Sequence, residues 1–198
     1  MKATLQRLIA AAAALTLSGF ASAGIGDIPA GEYELEKTHA YLTFSYLHLG
    51  YSRPVVGFSD FDVSLDLNQD DVSASALKVA VNPASVDTGV TKFDDHLKSD
   101  DFFDIANHTD ISFSATSIEM TGENTLEITG DLTMKGITKP VTLEAIINKA
   151  ANHPMRKTPT IGISASGQLK RSDWDLGKYA PNVGDEVTLN IQVELIKS

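Results

Sequence analysis

Leu126-Glu127-Ile128-Thr129-Gly130-Asp131-Leu132-Thr133-Met134 puts an apolar or small residue at every second position and a polar one between. Successive side chains of an extended chain point to opposite faces, so this stretch predicts a strand with one face buried and the other in water. The same period recurs outward from it. Phe61, Val63, Leu65 and Leu67 alternate with Asp60, Asp62, Ser64 and Asp66, and Val187, Leu189, Ile191, Val193 and Leu195 with Thr188, Asn190, Gln192 and Glu194. Val141, Leu143, Ala145 and Ile147 repeat the design. Weaker versions cover residues 41–49, 74–81, 111–118 and 160–169, with a short one at 33–36. That predicts about nine strands, nearly all antiparallel because their connections are short.

Alternation does not choose between a two-sheet sandwich and a closed barrel, since both bury one face per strand. Gly130, Ala145, Ala165 and Gly167 fall in phase with bulky neighbours. Small residues on an inner face leave volume for a ligand, or for a large neighbour such as Trp174. Residues 90–105 break the period. Val90, Phe93 and Leu97 fall at helical spacing, and Ser99 precedes Asp100-Asp101-Phe102-Phe103 as an N-cap precedes a first turn. Two short helices are expected there. Phe93, Leu97, Phe102 and Phe103 then either plug the core or form a flap over one end of the strands.

The chain has 198 residues, 16 Lys+Arg against 26 Asp+Glu, a net charge of −10 and no cysteine. Disulfides, thiolate zinc sites, thiol nucleophiles and iron–sulfur clusters are thereby excluded. An acidic surface repels phosphate backbones and anionic headgroups, so neither a nucleic-acid partner nor peripheral membrane binding is expected, nor stable membrane insertion. Lys2 and Arg7, the apolar run of residues 8–17 and Ala21-Ser22-Ala23 read as a signal peptide over residues 1–23. The run is too short to span a bilayer. Cleavage leaves one domain, residues 24–198, starting at Gly24 in an exported compartment, the periplasm of a bacterium. Its net charge is −12 once Lys2 and Arg7 are gone.

Motifs that carry chemistry are scarce. Gly162-Ile163-Ser164-Ala165-Ser166 lacks the second glycine of a nucleophile elbow and lies inside an alternating strand. Asp66-Leu67-Asn68-Gln69-Asp70-Asp71 starts like a calcium loop but has Asp at its sixth position and Leu77 at its twelfth, and so reads as a solvated turn. His39, His48, His96, His108 and His153 show no metal-ligand spacing. No enzyme activity, metal or cofactor is expected on these grounds.

The order of segments resembles the YceI family. The resemblance is carried by Tyr33-Glu34-Leu35, by residues 39–50 from His39-Ala40-Tyr41, and by Gly57-Phe58 with Phe61. It continues through Ala84-Ser85-Val86-Asp87-Thr88, then Asp95-His96-Leu97-Lys98-Ser99-Asp100-Asp101-Phe102-Phe103-Asp104 and Ile111-Ser112-Phe113. Residues 130–141, Arg171-Ser172-Asp173-Trp174 and Gly184-Asp185-Glu186-Val187 complete it, and Ala40 stands where that family usually has Ser. The resemblance implies an all-β, lipocalin-like eight-stranded antiparallel barrel with one or two short helices between strands. It also implies a polyisoprenoid or isoprenoid-quinone-like lipid in the lumen, a carrier role, no catalysis, and dimers in some members. The lining candidates are then Phe44, Tyr46, His48, Phe58, Phe61, Phe113, Leu132, Ile163 and Trp174, with Phe93, Leu97, Phe102 and Phe103 at the flap. His48 and Arg171 are the candidates for a polar head. Two other readings remain from the residues alone: a sandwich with a filled core, and a lipid-acting enzyme with an unadvertised site.

Overall fold

A computed structural model describes Ile25 and residues 28–198, so the signal peptide expected over residues 1–23 and the expected start at Gly24 lie outside the described residues. Its elements are β1 (Gly31–Leu35), β2 (Tyr41–His48), β3 (Val55–Phe58), β4 (Phe61–Leu67), β5 (Ala76–Val81), β6 (Val86–Asp87), α1 (Thr91–Lys98), β7 (Ile111–Met120), β8 (Thr125–Met134), β9 (Ile137–Asn152), β10 (Pro159–Lys170) and β11 (Val183–Lys197). Each of the nine predicted strands is present. The short β3 and β6 are additional.

All pairings are antiparallel, in the order β1-β4-β5-β7-β8-β9-β10-β11, and β1 returns to β11 through Tyr33 opposite Lys197 and Leu35 opposite Leu195. The result is a closed eight-stranded barrel, which leaves no sheet edge along that circuit. The remaining strands continue three of the eight. Beyond a 3-10 turn at Lys37–His39, β2 carries on along β11 from Ile191 to Val187, paired with Leu42 to Tyr46. Past Ser59-Asp60, β3 and β4 form the second interrupted strand, and β5 and β6, split by the 3-10 turn Pro83–Ser85, form the third. The breaks face one another: Asn82 N–H donates to Asp60 O (3.0 Å) and Ser59 N–H to Ser85 O (3.1 Å).

Period two survives as inward burial. In β8, Leu126, Ile128, Gly130, Leu132 and Met134 are all buried, and in β4 so are Phe61, Val63, Leu65 and Leu67. A bulge at Ala115–Ser117 resets the phase of β7, which returns Ile118 to the interior and accounts for the weak alternation there.

Two expectations are corrected. Only one helix, α1, forms in residues 90–105; the second segment is a series of turns. Ser99 ends α1 instead of starting a new helix. Its hydroxyl donates to His96 O (2.7 Å), and its carbonyl accepts from Phe102 N and Asp104 N. Nor do the in-phase glycines widen the lumen. A Cβ on Gly130 would lie 2.4 Å from Phe113 Cζ, and one on Gly167 would lie 2.5 Å from Leu143 Cδ2, so larger side chains already fill that space.

Candidate functional site

The connections at residues 68–75, 121–124 and 153–158 lie at one end of the barrel, and those at 49–54, 88–110, 135–136 and 171–182 at the other. β6 has no pairing with β7, and α1 with the turns that follow it occupies the stretch of chain between them.

A cavity of about 300 Å³ occupies the second end. Strand residues of one inward phase line it, among them Leu42, Phe44, Tyr46 and His48 of β2, Val79 and Val81 of β5, Leu132 and Met134 of β8, and Val187, Leu189 and Ile191 of β11. Phe93, His96 and Leu97 of α1 and the following Phe102 and Phe103 cover it. The aromatic rings form two trios. Phe44, Phe58 and Phe103 stand 5.5 to 6.4 Å apart inside, while His96, Phe102 and Tyr179 stand 5.1 to 6.3 Å apart outside. Tyr179 lines the cavity yet is 52% exposed, so the cavity reaches solvent between α1 and the loop of residues 175–182.

Those two segments are tied across the opening. Lys178 Nζ pairs with Asp101 Oδ1, and His96 Nε2 lies 3.5 Å from Asp101 Oδ2. The ammonium holds the Asp101 carboxyl below the usual carboxylate range, and the carboxylate pushes Lys178 up.

Of the candidates, Phe44, Tyr46, His48, Phe58, Phe93, Leu97, Phe102, Phe103, Phe113, Leu132 and Arg171 come together around this cavity. Three lie elsewhere. Phe61 begins β4 in the core, and Ile163 packs partly buried against the core beside Val193. Trp174 is buried and its Nε1–H donates to Leu132 O (3.1 Å), which pins the turn Arg171–Trp174 to the lining strand β8. Sequence reasoning missed Leu42, Val79, Val81, Leu143, Leu189 and Ile191, which share the inward phase of the residues it found.

Arg171 is 7% exposed, and its guanidinium is spent mainly on backbone. Nε donates to Gly184 O (2.9 Å), Nη2 to Val183 O (2.8 Å), and Nη1 to Lys178 O (2.9 Å) and Leu176 O. Burial lowers its pKa, and Asp185 and Tyr46 oppose that fall. It fixes the loop at the opening. Burial raises the Tyr46 hydroxyl pKa, opposed by Arg171, and Tyr46 and His48 supply the polar side-chain atoms among the strand residues of the lining.

The other end is solid. Tyr33, Leu67, Ile161 and Leu195 fill it together with Ile28, and none of them borders the cavity. On its outer face Glu36, His39 and Glu194 bring potential ligand atoms within 4.8 Å of one another. The buried Glu36 carboxylate is already engaged: Thr38 Oγ1 donates to it (2.7 Å), Arg156 Nη2 donates (3.1 Å), and His39 Nδ1 lies 2.8 Å away. These contacts, the Thr38 bond foremost, lower its pKa to about 2. The group clamps the β9–β10 connection over the break between β1 and β2.

A closed antiparallel barrel, hollow at one end and lined there by apolar side chains, defines the fold class, a lipocalin-like β-barrel. The chain belongs to the YceI family: the model of the YceI-like domain matches residues 33–195. It is 37% identical over 171 residues to Protein YceI of Escherichia coli O6:H1, covering 85% of this chain and 88% of that protein. The crystal structure of Campylobacter jejuni YCEI protein superposes with a TM-score of 0.70 at 30% identity, covering 76% of this chain and 89% of that one. A polyisoprenoid binding domain from Saccharophagus degradans shares the fold at a TM-score of 0.67 and 14% identity, over 84% and 98% of the two chains.

Proposed function

We propose that this protein is an exported carrier that holds a polyisoprenoid lipid, such as an isoprenoid quinone, by its apolar chain and without catalysis. The observation that carries the reading is the cavity itself, whose lining is almost wholly aliphatic and aromatic. Each methylene withdrawn from water contributes about 0.8 kcal/mol, so such a tube needs few polar contacts to hold a long hydrocarbon. Fold kinship with a polyisoprenoid binding domain supports the same ligand class. At about 300 Å³ the cavity is at the small end of ligand sites, so a long chain spreads the walls or leaves its head in the opening. His48, His96 and Tyr179 stand there to meet it.

Organic extraction of protein recovered from the periplasm, followed by mass spectrometry, tests this. About one isoprenoid per chain is expected, and adding it back to stripped protein raises Tm, since a ligand at a hundredfold excess over Kd contributes about 2.7 kcal/mol. An extract free of isoprenoid, with Tm unmoved by a polyprenol, overturns the reading.

A further inference from the structure

From Lys37 to Ser59 the chain has no Asp or Glu, although 26 occur in the whole. That stretch forms β2, the turn of residues 49–54 and β3. The apolar residues it turns outward are Tyr41 (60% exposed) at the start of β2, Leu47 (40%), Leu49 (49%) and Val55 (64%) around the turn and, at the tip, Tyr51 (90%). Arg53 is exposed beside them. Adjacent β11 sets Thr188 opposite Ser45 and Asn190 opposite Thr43; its two carboxylates nearby, in the bulge between Val183 and Val187, have partners on the far side, since Asp185 accepts from Ser172 N–H (2.9 Å) and Oγ–H (2.7 Å) and Glu186 stands opposite Lys170. The nearest carboxylate across β3 is Asp87, opposite Gly57, and its Oδ1 accepts from Gly89 N (2.8 Å).

The tip is held in shape. His48 N–H donates to Ser52 O (2.8 Å), Tyr51 N–H donates to His48 O (2.9 Å), and Leu49 and Gly50 take positive φ to close the turn. It is also continuous with the opening. His48 lines the cavity and pairs with Val183, whose N–H donates to Tyr179 O (2.9 Å).

From these observations we infer that the β2–β3 hairpin is a bilayer-docking surface, on which the protein rests reversibly with its cavity facing the lipid. A convex tip of Leu and Tyr beside one Arg suits the headgroup–acyl boundary, where tyrosine's amphipathic ring and a basic residue both find partners. Net negative charge elsewhere opposes wider contact with anionic lipid, which keeps the association weak and confined to the hairpin. The inference takes its purpose from the carrier reading but is measured without it.

The mature chain carrying Tyr51→Trp is mixed with vesicles of brominated phosphatidylcholine containing a minority of phosphatidylglycerol. Bromine on the acyl chains quenches only an indole that reaches them. Trp174, the single native tryptophan, is buried and supplies the background in wild type. Quenching of Tyr51→Trp beyond that background is expected, together with vesicle partitioning at least about tenfold weaker for Leu49→Ser/Tyr51→Ser, which loses two apolar anchors. Absence of quenching, or equal partitioning of the double variant, overturns docking. So does a wild-type dimer that the double variant converts to monomer, which would make the hairpin a self-association surface. Retention of decaprenol offered from detergent is measured in parallel. Retention without quenching removes docking alone, and quenching without retention removes the carrier reading and leaves docking in place.

Discussion

The two ends of the barrel belong to the same eight staves, five of them single strands and three interrupted, with the same alternation, yet one is solid and the other hollow. On β8 the boundary falls within three residues: Gly130 is closed over by the ring of Phe113, while Leu132 borders the cavity. On β11, Leu195 is fully buried among core side chains, whereas Leu189 and Ile191 face open space. What differs is what arrives from outside the strands. Ile25 and Ile28 are buried with the solid core, while α1 and its turns span the hollow end without filling it. The solid half anchors the fold, and the hollow half is free to exchange contents.

That contrast breaks first in the solid half. Leu195→Ala leaves a void among immobile neighbours and should cost about 2 to 5 kcal/mol in chemical denaturation. A loss under about 1 kcal/mol would show that end to be loosely packed. Gly130→Ala follows, because its methyl would meet both Phe113 and Ser114 O, at 2.5 Å from the latter. Overpacking of this kind costs about 1 to 3 kcal/mol. Two positions away, Leu132→Trp should leave the empty protein within about 1 kcal/mol of wild type, since the indole enters vacant volume, while retention of a polyprenol falls. Large destabilisation with undiminished retention would place Leu132 in the solid half.

Acid sharpens the comparison through Glu36. A carboxyl whose folded pKa lies near 2 contributes stability that is complete above its unfolded value and is lost as pH falls through the interval between the two. Stability should therefore decline more steeply between pH of about 4.3 and about 2 in wild type than in Glu36→Gln. Parallel acid profiles would show that the Glu36 clamp adds nothing. The smallest effect belongs to the opening. Lys178→Ala removes an ion pair whose side chains are each over a third exposed, so stability should change by less than about 1 kcal/mol and the change should fade in salt. Ligand dissociation should quicken all the same, read as faster loss of a preloaded polyprenol.

Alternation made the nine longer strands legible and gave the inward face of each. It could not say at what height along the barrel a residue sits. Phe61 and Val81 are paired neighbours of one phase, yet only Val81 borders the cavity. Height follows from strand register around the closed ring, which period two does not encode. For the same reason Leu42, Val79 and Ile191, which border the cavity on the inward phase, were not among the candidates. Leu176 and Tyr179 sit on a loop that carries no period at all. β3 and β6, with four and two residues, are too short to show one. Ser99 misled because an N-cap serine and a helix-ending serine look alike until the carbonyl that accepts its hydroxyl is known.

The three interrupted strands have a mechanical consequence. Five staves, β7 to β11, run unbroken for 10 to 16 residues and make a stiff cradle. The other three are jointed at one level, where Lys37–His39, Ser59-Asp60 and Pro83–Ser85 lie side by side. Above those joints the panel of β2, β3 and β6 is bonded to the cradle along one side by the β2–β11 ladder, and its other side, unpaired with β7, carries no ladder. The hollow end is thus a ring left open on one side, while the solid end beneath the joints is bonded all the way round.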